Sequence, residues 1–465
     1  YNTAVGGQAL QANTTASNNV AVGLNALLVN TTGADNTAVG TFALDANTTG
    51  GDNTAIGKNA LTVNTDGDNN VAIGSLALDA NTTANDNVAV GVLALTSNET
   101  GTGNVAIGRD ALEANTTANY NTAVGYDSLK ANTTGIQNVA VGTNAGDANT
   151  TANNVCAVGY AAASASNVNQ ITAIGSQALA QSTESGTAVG YAALFANTSG
   201  TNNTAVGEEA LIANTSGSNN TAIGKDALKS NTTANLNTAV GSRAGEDCTT
   251  GANNTFVGYI AGKDVTTGSQ NTLIGYACGT TGLALTTGSQ NMLVGVFNDT
   301  TAADASQCHG FGYNLDCAPD FTTLGNATLD SRLAHGGTTW STISDIRVKK
   351  DIEDSTAGLS FINDLRPVTF NYKNLGDIPK EFKGYQEGST EAYRNSKRQH
   401  GFIAQEVKEA IDNHPEIVDG FKMWHELDHT GQQEVADGYL IPMLTKAIQE
   451  LSAEVEELKA KLEDK

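Results

Sequence analysis

The chain has 465 residues, of which 39 % are hydrophobic and only 5 % aromatic, so no single large globular core is implied, and its formal net charge is −24. Residues 1–343 carry 8 basic and 24 acidic side chains and residues 344–465 carry 16 and 24, so neither part has the clustered Lys and Arg needed to neutralise nucleic-acid phosphates. No window offers the ~20 apolar residues of a membrane span, and the opening YNTAVG lacks the charged and apolar regions of a secretion signal.

From its first residues the chain repeats itself. The phrase Asn2-Thr3-Ala4-Val5-Gly6 returns with small variations, and its glycine recurs from Gly6 to Gly295 at intervals that are nearly all 17 residues. The exceptions are steps of 16 and 15 between Gly159 and Gly190 and a step of 20 before Gly295. Such self-similarity describes one unit stacked on copies of itself, a rod rather than a globule. Because the chain begins inside a repeat, a longer parent protein is expected.

With the glycine as position 0, position −1 is Val or Ile in most coils, −3 is Thr or Val, and Ala usually stands between them. This period of two predicts a short strand whose −3 and −1 side chains enter a core, leaving an Ala face on which several chains could meet. A second short strand is expected around Ala9-Leu10-Gln11-Ala12, with the Leu at +4 forming a stripe from Leu10 to Leu129. Asn13-Thr14-Thr15 and its copies read as an outward polar corner. Two strands and two corners per coil give a parallel β-solenoid, and at ~4.8 Å per coil the shaft is roughly 80 Å long. The irregular spacing predicts a bulge or kink between residues 154 and 190. The replacement of Leu by Gly245, Gly262 and Gly279 predicts a changed cross-section, and residues 296–320 lose the repeat.

The NTAVG and NVAIG phrases resemble the NSVAIG-type repeats in the head domains of trimeric autotransporter adhesins. That resemblance implies a trimer of β-rolls, although the family's repeat is shorter.

Beyond the repeats the composition changes, and all five prolines lie there. Residues 321–343 read as short strands in a stalk. From Ile441 a helix to about residue 463 carries Ile441, Leu444, Ile448, Leu451, Val455, Leu458 and Leu462 three and four apart, the a and d positions of a coiled coil. The alternative is an amphipathic helix packed on its own domain.

Three motifs set the last third apart: SDIRVKKDI from Ser344, LRPVTFNYK from Leu365 and HGFIAQEV from His400. Together they resemble the intramolecular chaperone of phage endosialidases and many tail fibres, the peptidase S74 family. The resemblance implies that residues 344–465 drive trimerisation and folding of the chain upstream and then cut themselves off. It assigns the nucleophile to Ser344 and the base to Lys349, with Lys350 as a rival and scission beside Ser344, most simply at the Ile343–Ser344 bond. A serine hydroxyl needs such a base, and burial can make lysine one. Without the family, the same stretch is only a polar segment with a helix-capping Ser or Asp.

Other signals are weaker. The five cysteines form no CxxC pair and read as small buried residues, with a Cys308–Cys317 disulfide as the lesser reading. Stacked Thr14, Thr31 and Thr48 could form an ice-binding hydroxyl ladder, but Thr is also an ordinary corner residue. Asp66, Asp68 and Asp86 could hold a cation or simply be solvated, and the six histidines, His429 among them, show no ligand spacing. No cofactor or metal is expected.

The sequence thus predicts a mainly β fold in three parts: a β-solenoid over residues 1–295, a transition and stalk over 296–343, and an α+β chaperone over 344–465. The expected role is a homotrimeric virion tail fibre that binds a host cell-surface glycan or protein and has no external enzymatic substrate. The alternative is an adhesin or filament on a bacterial surface with the same chaperone. A glycan-degrading spike is disfavoured, since no paired carboxylates recur.

Overall fold

A computed structural model describes every residue except 283, 343, 345, 383, 418–420, 428–430, 464 and 465. The chain divides into two compact units, Tyr1–Ile343 and Ser344–Lys465.

The first unit is a parallel β-solenoid. Each coil contributes one strand of three to five residues, such as Val20–Val22, Thr37–Val39 and Thr54–Ile56, and equivalent residues pair in parallel from coil to coil. Through most of the shaft the second strand expected after the glycine is instead a run of turns whose N–H groups still reach the next coil, as Leu27 reaches the Ala43 carbonyl at 3.0 Å, and near its end it forms as two-residue strands, Asp299–Thr300 paired in parallel with Asp316–Cys317. The reason is conformational: Leu27 and its equivalents sit in the left-handed region, with φ 51° at Leu27. That costs about 1–2 kcal/mol per residue, which burial of a leucine, worth roughly 1.5–3 kcal/mol, can offset. The glycine at position 0 has no such choice. At Gly6, φ is 133° and an added Cβ would lie 2.5 Å from the Gly23 carbonyl oxygen, so only glycine lets the coils close up.

The orientation of the strand is the reverse of the expected one. Ala21, Ala38, Ala55 and Ala72 at −2 are fully buried, whereas Ile56, Ile73, Ile107 and Val141 at −1 are 37–40 % exposed. The interior is one Ala and one Leu wide, too narrow for a β-branched pair, so Val, Ile and Thr stand outside. The corner asparagines are also inside. Asn53 donates from Nδ2 to the Gly67 carbonyl at 2.8 Å, and its N–H reaches Asn36 Oδ1 at 2.9 Å. At the same corner Asn64 donates to Asn47 Oδ1 at 2.9 Å and shares the Gly67 carbonyl at 3.0 Å. Two ladders of buried amides therefore satisfy the corner backbone that a thin coil cannot expose to water. The corner Thr hydroxyls are engaged along the axis as well: Thr31 donates to the Thr48 carbonyl at 3.0 Å, which leaves no free ladder of the ice-binding kind.

Departures from the repeat are absorbed without breaking the stack. Between residues 154 and 190 the strands keep parallel register, Cys156 on Thr172 and Thr172 on Thr187, so no kink interrupts them. Val155 and Ile171 fill the rungs of the missing asparagines. Where Gly245, Gly262 and Gly279 replace Leu, the inward Ala becomes Phe256, Leu273 and Leu293. An added Cβ on Gly245 would sit 2.5 Å from the Phe256 ring, so bulk has moved across the coil rather than disappeared. Residues 296–320 do not leave the solenoid: His309–Tyr313 stacks on Met292–Val296, Phe321–Asn326 follows, and Leu329–Ala334 turns back antiparallel as a cap. The five cysteines are free thiols. Burial pushes those of Cys308 and Cys317 up to about 12.

In the second unit, α1 (Leu359–Asp364), α2 (Ala404–Asp412) and α3 (Leu440–Glu463) surround a small core of Phe361, Val407, Ile411 and Met423. Glu450 of α3 accepts the Leu359 N–H at 2.7 Å, tying α3 to the start of α1. His414 is buried against Phe361, with Nδ1 3.0 Å from Glu416 and Nε2 2.9 Å from Asp364. Along α3, Leu440 and Ala447 are buried, while all seven heptad residues from Ile441 to Leu462 are 41–73 % exposed.

Two outcomes test this fold. Asn70→Ala strips the Asn87 N–H of its buried partner, at about 1–3 kcal/mol, and leaves the Ala84 carbonyl with the Asn81 amide alone. Hydrogen exchange should show the coils flanking residue 70 losing protection, whereas Val71→Thr on the outer face should leave it unchanged. The two carboxylates around His414, Glu416 first and then Asp364, raise its pKa above the ordinary imidazole value. The stabilisation should therefore be complete below about pH 6.5 and fade as pH rises through the raised value. Urea midpoints followed by Trp424 fluorescence should fall over that range in the wild type and stay flat in His414→Gln.

Candidate functional site

The second unit opens on Ser344, followed by a single 3₁₀ turn at Ile346–Val348. The turn is closed by the Lys349 N–H on the Ile346 carbonyl at 3.2 Å, which brings position 349 back over position 344. Lys349 Nζ donates to Ser344 Oγ at 2.8 Å. Lys350 points elsewhere, with its ammonium 3.9 Å from Asp351 and both side chains largely in water. Of the two candidate bases, only Lys349 meets the serine. Ile343, on the acyl side of the expected scissile bond, lies outside the described residues.

Such a pair can do one kind of chemistry. An amine in hydrogen-bond contact with a hydroxyl accepts its proton if the amine is neutral, and the resulting alkoxide attacks a neighbouring carbonyl. Ser344 and Lys349 are both exposed in the single chain, and desolvation is what disfavours an ammonium.

The other two motifs meet each other. Val368–Phe370 from LRPVTFNYK pairs antiparallel with Gln399–Gly401, which leads into HGFIAQEV, with Thr369 opposite His400. Arg366 grips Glu406 through Nε at 3.0 Å and through a second contact from Nη2, and this guanidinium holds the Glu406 carboxyl below its usual range. His400 thus occupies a structural strand. Sequence reasoning missed His414, whose two carboxylate partners lie 50 residues upstream and two downstream. It also missed Glu450, since a cap supplied from 91 residues away leaves no local spacing to read.

In the solenoid, two of the three acidic residues considered for a cation are otherwise engaged. Asp66 accepts the Thr49 hydroxyl at 2.6 Å and Asp68 the Gly51 N–H at 2.7 Å.

No curated protein matches the chain. The family model described as the chaperone of endosialidase, Peptidase_S74, matches residues 344–415, so that the match begins at the serine of the Ser344–Lys349 contact and takes in both later motifs. Residues 344–415 are thus similar to the chaperone of endosialidase, and in the chain they come after a β-solenoid.

Proposed function

We propose that the chain is a homotrimeric fibre, a phage tail fibre that displays its solenoid to a receptor on the host surface, and that its C-terminal chaperone assembles three copies before releasing itself. The observation that carries this reading is the placement of a folding chaperone after a solenoid whose coils are interchangeable. A slip of one whole coil would again set Ala on Ala and Val on Ile, so local contacts cannot choose the register. A clamp at one end can.

Two apolar surfaces left to solvent support self-association. One is the heptad seam of α3. The other is the outward Val and Ile row of the solenoid, which replaces the Ala face as the surface to be shared. At ~4.8 Å per coil and ~7 Å across, the outward strip covers on the order of 600 Å² per chain, close to the ~800 Å² each partner buries in a stable interface. The adhesin reading keeps one support, the resemblance of its repeats to adhesin heads, and neighbouring virion genes or a membrane anchor would separate the two.

For release, the proposed step is an acyl shift. Ser344 Oγ attacks the carbonyl carbon of residue 343 through a five-membered ring while Lys349 takes the hydroxyl proton. The C–N bond then breaks, the proton passes to the freed amine of Ser344, and water hydrolyses the ester. Packing among three copies would supply the desolvation that keeps the lysine neutral.

Denaturing mass spectrometry of the wild type should show fragments of 343 and 122 residues, whereas Ser344→Ala and Lys349→Met should each give an intact chain of 465. An intact wild type removes autoproteolysis. Light scattering of Ser344→Ala should give three times 47.7 kDa. Ile73→Asp with Ile107→Asp should reduce that mass while circular dichroism stays β-like; a monomeric parent would overturn the trimer.

A further inference from the structure

At the capped end of the solenoid the outward −3 row changes chemistry. Thr272 pairs with Met292, Met292 with His309 and His309 with Thr322, so a thioether and an imidazole take consecutive places held elsewhere almost entirely by Thr and Val. The antiparallel return then brings in a second imidazole, that of His335, whose backbone N–H donates to the Asp320 carbonyl at 2.8 Å. His309 Nδ1 lies 3.4 Å and His335 Nε2 3.5 Å from the same Thr322 hydroxyl oxygen, and the rings stand 4.6 Å apart. Met292, 40 % exposed, lines the same open groove.

Hydrogen bonding accounts poorly for this arrangement. A hydroxyl bond prefers about 2.7–2.8 Å, and both contacts lie at its outer limit. Two ring nitrogens aimed at one point, with a soft sulfur on the next rung, are the donor set of a transition metal. We propose that His309 and His335, with Met292 beside them, bind one divalent transition-metal ion of the imidazole-preferring class, with water completing its coordination and Cu²⁺ bound more tightly than Ni²⁺ or Zn²⁺. A bound ion would staple the returning strand Leu329–Ala334, through His335, to the strand His309–Tyr313 two positions away in the sheet.

The test is calorimetric titration of tag-free full-length chain with CuCl₂ and ZnCl₂, together with the electron paramagnetic resonance spectrum of the Cu²⁺ form. One ion per chain and a nitrogen-coordinated spectrum are expected. His309→Asn and His335→Asn should each weaken binding by at least about tenfold, since even outer-shell losses cost 10–100-fold. His425→Asn, at an exposed histidine paired with Glu434 at 2.8 Å, should leave binding unchanged. Thermal melts without metal establish that the variants fold, and His335→Asn at the exposed end of the return keeps the test open should His309→Asn fail. Absence of stoichiometric binding by the wild type, or unchanged affinity in a folded His335→Asn, would overturn the site.

Discussion

Everything in the shaft depends on the close approach of one coil to the next. The glycine at position 0 permits that approach, because any side chain there would run into the following glycine's carbonyl. Once coils are this close, every inward residue lies on its own equivalent, and what can stack on itself decides the sequence. Alanine and leucine stack as a narrow core. Asparagine stacks because its amide both donates and accepts, so a column of amides continues from coil to coil, and where Cys248 ends one column the Asn231 Oδ1 is left buried without a partner.

The same constraint explains how the chain tolerates its own irregularities. Where Gly245 and Gly262 remove the leucine, Phe256 and Leu273 fill the space from the strand side, whereas beside Gly146 the inward residues remain Ala140 and Ala157. Shortened coils lose residues from the corner and keep the strand, so parallel register survives. A structure made this way is stable rung by rung but ambiguous as a whole, since identical rungs accept one another in any register. In the proposed function, the segment that matches the chaperone model answers that ambiguity from outside the repeat.

The legibility of the sequence followed the locality of the physics. The Ser344–Lys349 contact was readable because a single 3₁₀ turn separates the two residues and a recognisable motif carries both. The His414–Asp364 contact and the Glu450 cap were not, because the partners lie 50 and 91 residues apart in the chain. The strand was located correctly and turned the wrong way. Alternation gives two faces without saying which is inside, and the β-branched side chains suggested the wrong one. The near invariance of Ala at −2, against Thr, Val, Cys and Met at −3, was the available clue, since a narrow interior restricts size while an outer face does not.

The repeat length, the solenoid, the break near residue 343 and the chaperone motifs were fixed by the sequence alone, because each depends on periodicity or on residues close together in the chain. Which face is core, where the corner asparagines point, how far the coils continue past Gly295 and which groups meet at His309 and His335 were decided by tertiary structure. These depend on the width of the coil interior and on contacts between rungs, and neither is a property of any one repeat.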